Sequence, residues 1–154
     1  MPAIYEHAIV VTRAEIDNLD HANNGAFVVW MQEAAMAHSA ANGWPPDRYH
    51  QDHAGWVVRS HSIEYLSPAY LGNQIAIRTW VSRMRRVVSW RRYDFVREED
   101  GVTLVRAETK WAYIDFATLK PLQIPSILLD DFDIVDEEQT GRLFTAKRIS
   151  KRPQ

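Results

Sequence analysis

Apolar positions change period twice along the chain, and the changes divide it into elements. Residues 4–13 (IYEHAIVVTR) are rich in β-branched and apolar side chains and predict a strand. Residues 14–23 are polar, with Asp and Asn that favour turns and helix caps. Over residues 24–42, Phe27, Trp30, Met31, Ala34, Ala35, His38 and Ala41 recur at i, i+3, i+4 spacing. That spacing predicts a helix, with Asn23 or Asn24 as its cap. Ala26, Val28, Val29, Ala37 and Ala40 fill much of the opposite side, so the helix is expected to be buried nearly all round. Asn42-Gly43 ends it, and residues 44–55 (WPPDRYHQDHAG) read as a loop.

Four strand-like runs follow, at 56–66, 74–84, 87–97 and 102–116. Period two is clear in the second, where Ile75, Ile77, Thr79 and Val81 oppose Arg78 and Ser82. Ser67-Pro68, Gly72-Asn73, Arg85-Arg86 and Glu98-Glu99-Asp100-Gly101 punctuate the run. Such short connections imply an antiparallel meander. The expected architecture is therefore α+β, an antiparallel sheet wrapped around one long central helix. Residues 117–129 leave the sheet through two prolines into a turn or short helix. The domain is read as 1–130, with a polar tail over 131–154, acidic first and then basic.

Composition narrows the function classes. The chain has 154 residues, enough for one domain with its own core. Lys+Arg is 18 against Asp+Glu 20, a net charge of -2 that argues against a nucleic-acid partner. With no cysteine, disulfides, thiolate metal sites and a cysteine nucleophile are excluded. His50 and His53 lie close together, but no H-x-x-x-H pair supports a metal site. MPAIYEHAIVV lacks a basic n-region ahead of a long apolar run, and the longest apolar stretch is Ala26 to Met31. A signal peptide and a membrane span are not expected, and the chain reads as cytoplasmic.

The segment Asp17-Asn18-Leu19-Asp20-His21-Ala22-Asn23-Asn24 resembles the D-x-x-G-H-x-N-N loop of hotdog-fold acyl-CoA thioesterases, in particular the 4-hydroxybenzoyl-CoA thioesterase-like family. Trp30-Met31-Gln32-Glu33-Ala34-Ala35 is similar to that family's aromatic-x-E-x-A helix, and Ile63 to Ala69 with Leu71-Gly72-Asn73 to its I-x-Y-x-x-P-A and G-D signature. The likeness spans roughly residues 5–130. One position departs: Asp20 stands where the family usually has Gly, a residue that Asp replaces best where φ is positive.

The resemblance implies a hotdog fold and hydrolysis of an acyl-CoA thioester. Asp17 would act as general base or nucleophile, and the backbone N–H of Asn24 or Gly25 would stabilise the oxyanion. It further implies a homodimer or homotetramer with the active site at a subunit interface, and pairing the open sheet edges between subunits would hide them. No cofactor is needed, since coenzyme A is part of the substrate. His21 could orient substrate or shuttle a proton, or be a loop histidine bonded to backbone. Glu33 could position water or pair across an interface, while His38 reads as a core or interface histidine. Phe27, Trp30, Trp56 and Tyr65 are candidates for an aromatic acyl groove. The run Arg83, Arg85, Arg86, Arg91 and Arg92 could meet coenzyme A phosphates or form a solvated strand-end cluster. Three alternatives stand beside hydrolysis of acyl-CoA. They are an acyl-carrier-protein thioesterase, a non-catalytic acyl-thioester-binding protein, and a dehydratase using His21 with Asp17 or Asp20.

Overall fold

Backbone pairing in the computed structural model, which describes residues 3–136, keeps the expected meander for the last three of the four runs only, while the first of them crosses over to pair with the last. The strands are β1 (Tyr5–Val10), β2 (Ala54–Tyr65), β3 (Gln74–Arg85), β4 (Val88–Arg97) and β5 (Thr103–Asp115). They form one antiparallel sheet in the order β1-β3-β4-β5-β2, so β1 and β2 are its edges. β1 is shorter than the expected run because Thr12 turns the chain. Its backbone N–H donates to the Glu15 carboxylate and starts one 3₁₀ turn over Arg13–Glu15. Register shifts between Val58 and Ser60, Val81 and Arg83, and Phe95 and Val96 bend the sheet.

Helix α1 (Asn24–Ala41) lies against this curved sheet. Its buried stripe is Ala26, Phe27, Trp30, Met31, Ala34, Ala35 and His38; six of these were read from the spacing, while Ala26, read on the opposite side, is buried and Ala41 is only half-buried. Phe27 meets Trp30, Phe95 and Tyr65 edge-on, at ring separations of 5.0, 5.2 and 5.7 Å. Ile75, Ile77, Tyr93, Phe95 and Leu104 complete this core from the sheet. Burial all round is not observed. Val29 is 53% and Met36 56% exposed, because the sheet of one chain reaches round only one side of the helix.

The expected loop 44–55 holds a helix instead, α2 (Pro46–Asp52). Pro46 sits at its start, where a missing N–H costs nothing, and Asp47 lies in its first turn. His53 ends it in the left-handed region, with φ 54°. Beyond the sheet, α3 (Ser126–Asp131) caps a second apolar cluster containing Trp44, Val81, Tyr113, Ile124, Leu128 and Phe132. Trp44 anchors it, its Nε1–H donating to Asp131 at 2.8 Å while the Arg48 guanidinium lies 3.6 Å from its ring centre. Phe132 and Val135 are buried, and Ile134 bridges Val81. The rest of the expected polar tail, 137–154, lies outside the described residues.

One polar pair is enclosed where the end of α1 meets β3 and β4. Arg91 Nη1 donates to His38 Nδ1 at 2.8 Å and to Thr79 Oγ1 at 3.1 Å. Tyr5 stacks on the His38 ring at 5.3 Å, and Phe132 meets it edge-on. Burial, and then the adjacent guanidinium, push the His38 pKa from 6.5 down to about 3. The folded state therefore keeps His38 neutral while the unfolded chain takes up a proton below pH 6.5. This contribution to stability is complete above that pH and falls by about 1.4 kcal/mol per pH unit on acidification towards 3. His38→Gln keeps an acceptor for Arg91 and removes the titration. Urea unfolding at pH 7 and pH 5 is expected to show a smaller acid loss in this variant than in the wild type; an equal loss contradicts the assignment.

Candidate active site

The segment between β1 and α1 folds as a short hairpin. Ile16 bridges Ala22, and the Asp17 N–H donates to the His21 carbonyl at 2.7 Å. Asp17 Oδ1 accepts from the N–H of Leu19 at 2.8 Å and of His21 at 3.2 Å, the Asx geometry that short carboxylates favour. Its other oxygen has no partner among the described residues, and the side chain is exposed. Asp20 adopts φ 61°, so it takes the left-handed conformation that a Gly would take freely.

Asn23 joins this hairpin to the helix. Its Oδ1 accepts from Ala26 N–H at 2.8 Å, and its Nδ2 donates to the Glu15 carbonyl at 2.9 Å. One side chain thus caps α1 and fixes the loop against it. The N–H groups of Asn24 and Gly25 have no acceptor among the described residues, and both residues are exposed. They present two open donors at the positive end of an 18-residue helix. Gly25 has a steric reason: a Cβ there would lie 3.3 Å from Asn23 Oδ1. Tyr65, at the end of β2, donates from its hydroxyl to the Asn24 carbonyl at 3.0 Å.

The structure places Asn24, Gly25 and Tyr65 at the start of α1, and Asp17 in the hairpin that Asn23 ties to that start. His21 also belongs to this loop, but its ring packs edge-on against Tyr70 at 5.2 Å. Of the groove candidates, Phe27, Trp30 and Tyr65 come together near the start of α1, and Trp56 lies apart from them. Phe27 and Trp30 are core side chains, 2% and 4% exposed, because their helical positions face the sheet. Glu33 is exposed on the outer side of α1. Of the groove candidates, Trp56 lines a cavity.

That cavity, of about 470 Å³, lies beside the C-terminal half of α1, between Met36 and Ser39 of the helix, Tyr49 of α2, and Trp56, Arg91 and Trp111 of the sheet. Along the axis its helical lining, Gln32 to Ser39, is roughly 12–22 Å from the helix start at 1.5 Å per residue. A chain of hydrogen bonds borders it. Trp56 Nε1–H donates to the Tyr49 hydroxyl at 3.2 Å, Tyr49 lies 2.8 Å from Ser39 Oγ, and Ser39 donates to the Trp44 carbonyl at 2.8 Å. Burial pushes the Tyr49 hydroxyl pKa up, so it acts as a neutral relay. Gly55 makes room at the mouth, since a Cβ there would fall 2.6 Å from Phe116 Cζ.

Ser39, Tyr49 and Arg91 were not singled out as cavity residues from the sequence. Tyr49 lay in a segment read as loop. Arg91 was grouped with surface cations, although it shares strand parity with Ser89 and Tyr93, both buried. The basic run in fact disperses: Arg91 is enclosed, Arg92 pairs with Glu108 at 3.2 Å, and Arg83 lies over Trp90. His50 and His53 do not converge on a metal; His50 lies against Phe116, and His53 ends α2. Among the described residues no group of three His, Cys, Asp or Glu is placed to hold a metal ion. Likewise, no helix there is long and apolar enough to cross a membrane.

Residues 2–132 match the family described as acyl-ACP thioesterase N-terminal domain. No curated protein matches the chain in sequence. Its fold is similar to that of the DHNA-CoA thioesterase from Staphylococcus aureus, with a TM-score of 0.77 at 17% identity over 97% of each chain. A 1,4-dihydroxy-2-naphthoyl-CoA thioesterase from Synechocystis gives 0.77 at 16% identity, over 83% of this chain and 94% of that one. An acyl-ACP thioesterase from Bacteroides thetaiotaomicron gives 0.76 at 21% identity, over 85% of this chain but 54% of that one.

The hydrogen-bonded border of the cavity has a measurable stability. Tyr49→Phe removes the acceptor of Trp56 and the partner of Ser39, and is expected to cost about 1–3 kcal/mol in chemical denaturation. A loss below about 0.5 kcal/mol would show that solvent replaces the hydroxyl without penalty.

Proposed function

Because the chain belongs to the acyl-ACP thioesterase family, it is a thioester hydrolase of hotdog fold, and we propose that it cleaves an acyl-CoA to the free acid and coenzyme A. What supports this reading is one exposed carboxylate, Asp17, in the hairpin tied by Asn23 to the start of α1, together with two open backbone donors at that start. Asp17 activates water or attacks the thioester carbon. The N–H of Asn24 or Gly25 receives the charge that develops on the carbonyl oxygen, where the helix dipole favours it. Tyr65 holds the Asn24 carbonyl and so steadies the donors, and His21 serves the loop through its backbone contacts with Asp17. The acyl group extends into the aromatic cavity. The proposed chemistry uses no cofactor, and a coenzyme A substrate implies the cytoplasm.

The family match favours a second reading of the carrier, with acyl-carrier protein in place of coenzyme A. Both present the same thioester to the same donors, so a comparison of the two carriers with one acyl group decides between them.

We further propose that two or four copies associate, which places the active centre at a subunit interface. The separation between the Asp17 loop and the cavity within one chain supports this, as does the 12-residue edge strand β2, paired on one side only. Light scattering of the purified protein is expected to give an even number of copies; a monomer contradicts the assembly.

Asp17→Asn is the sharper test of chemistry. It keeps the oxygen that accepts from Leu19 and His21, so the loop is expected to hold, while the charge is lost. Free-thiol release from acyl-CoA should fall by about 10²–10⁴ with little change in melting temperature. Unchanged turnover would move the chemistry off Asp17, and no turnover by the wild type on either carrier would favour a non-catalytic thioester-binding protein.

A further inference from the structure

Arg91 is 6% exposed and lines the cavity, yet no carboxylate of residues 3–136 pairs with it. Its hydrogen bonds, to His38 Nδ1 and Thr79 Oγ1, both leave from Nη1 and reach neutral groups. His38 cannot serve as an anion, and the nearby tyrosines Tyr49 and Tyr93 have hydroxyl pKa values raised by burial, so they too stay neutral. A guanidinium does not discharge itself by losing its proton at ordinary pH. The result is a full positive charge held at the wall of a partly open, aromatic-lined cavity. Buried charges are normally paired, because withdrawing an ion from water is costly unless a counter-charge replaces the hydration. The free edge of the fork, Nε and Nη2, matches the two oxygens of a carboxylate.

We infer that the cavity takes an acyl group whose far end carries a carboxylate, so that the substrate is the monothioester of a dicarboxylic acid and Arg91 binds its free end. This rests on the thioesterase reading for the identity of the near end, and names the class of acyl group at that same site. The aromatic walls contributed by Trp56 and Trp111 cover the methylene stem between the two ends. A methyl-terminated chain fills the same walls but leaves the guanidinium uncompensated. An acyl group ending in a neutral hydroxyl supplies an acceptor without the charge.

Binding separates this inference from hydrolysis. The probes are pantetheine thioethers, which carry the arm common to coenzyme A and acyl-carrier protein and cannot be hydrolysed. Matched sets of increasing length end in a carboxylate, a hydroxyl or a methyl group. Calorimetry on the wild type is expected to show the carboxylate set binding roughly 10- to 100-fold more tightly than the methyl set at the best length, with the hydroxyl set between. Arg91→Met should erase that preference, and Arg91→Lys, which keeps the charge without the fork, should retain part of it. Should Arg91→Met fail to fold, the wild-type ranking and Arg91→Lys still decide. Equal binding of the three sets, a preference for methyl, or no binding of any probe overturns the inference. Selective binding of the carboxylate set with no thiol release from the corresponding thioesters would overturn the hydrolase reading and leave the ligand class standing.

Discussion

The site depends on the two hydrogen bonds of the Asn23 side chain. A helix leaves its first N–H groups without partners, and the structure must decide which are capped and which stay open. Asn23 closes one, that of Ala26, and uses its amide nitrogen to hold the Glu15 carbonyl. The preceding hairpin is thereby locked to the helix, which sets Asp17 beside the start of α1. The N–H groups of Asn24 and Gly25 remain open. One cap thus leaves two helix N–H groups open and ties the hairpin that carries Asp17 to the same helix end.

A second constraint acts at the other end of α1. The alanines that let the helix approach the sheet give way to His38, Ser39 and Met36, where the packing opens into the cavity. Arg91 lines this opening while it holds the buried His38 and Thr79, and Trp56, Tyr49 and Ser39 form a hydrogen-bonded set along its border. One helix thus separates two kinds of chemistry. Its start leaves two N–H groups open, while its end lies against the Arg91 guanidinium.

Much of this was legible in the sequence where one interaction sets one position. The stripe Phe27, Trp30, Met31, Ala34, Ala35 and His38 is fixed by helical period alone. A cap at Asn23 or Asn24, which the structure resolves to Asn23, and Asp20 as a positive-φ residue follow from side-chain chemistry that acts within a few residues. What failed depends on distance in space. Whether Val29 and Met36 are covered is decided by how far the sheet curls, and three register shifts govern that. Helix α2 was missed because its proline-led start and left-handed stop read equally well as turn signals. That Phe27 and Trp30 face the sheet is not legible either, because an aromatic side chain in sequence does not reveal which side of it the sheet will occupy. Arg91 looked like its charged neighbours, and only the burial of its strand partners separates it from them.

The most direct measurement is a crystal structure of the protein bound to an acyl-CoA analogue in which a methylene group replaces the thioester sulfur. The account expects the ketone oxygen about 2.7–3.1 Å from the backbone nitrogen of Asn24 or Gly25, with Asp17 facing the carbonyl carbon. An analogue bound with that oxygen elsewhere, and with both N–H groups open to solvent, would contradict it.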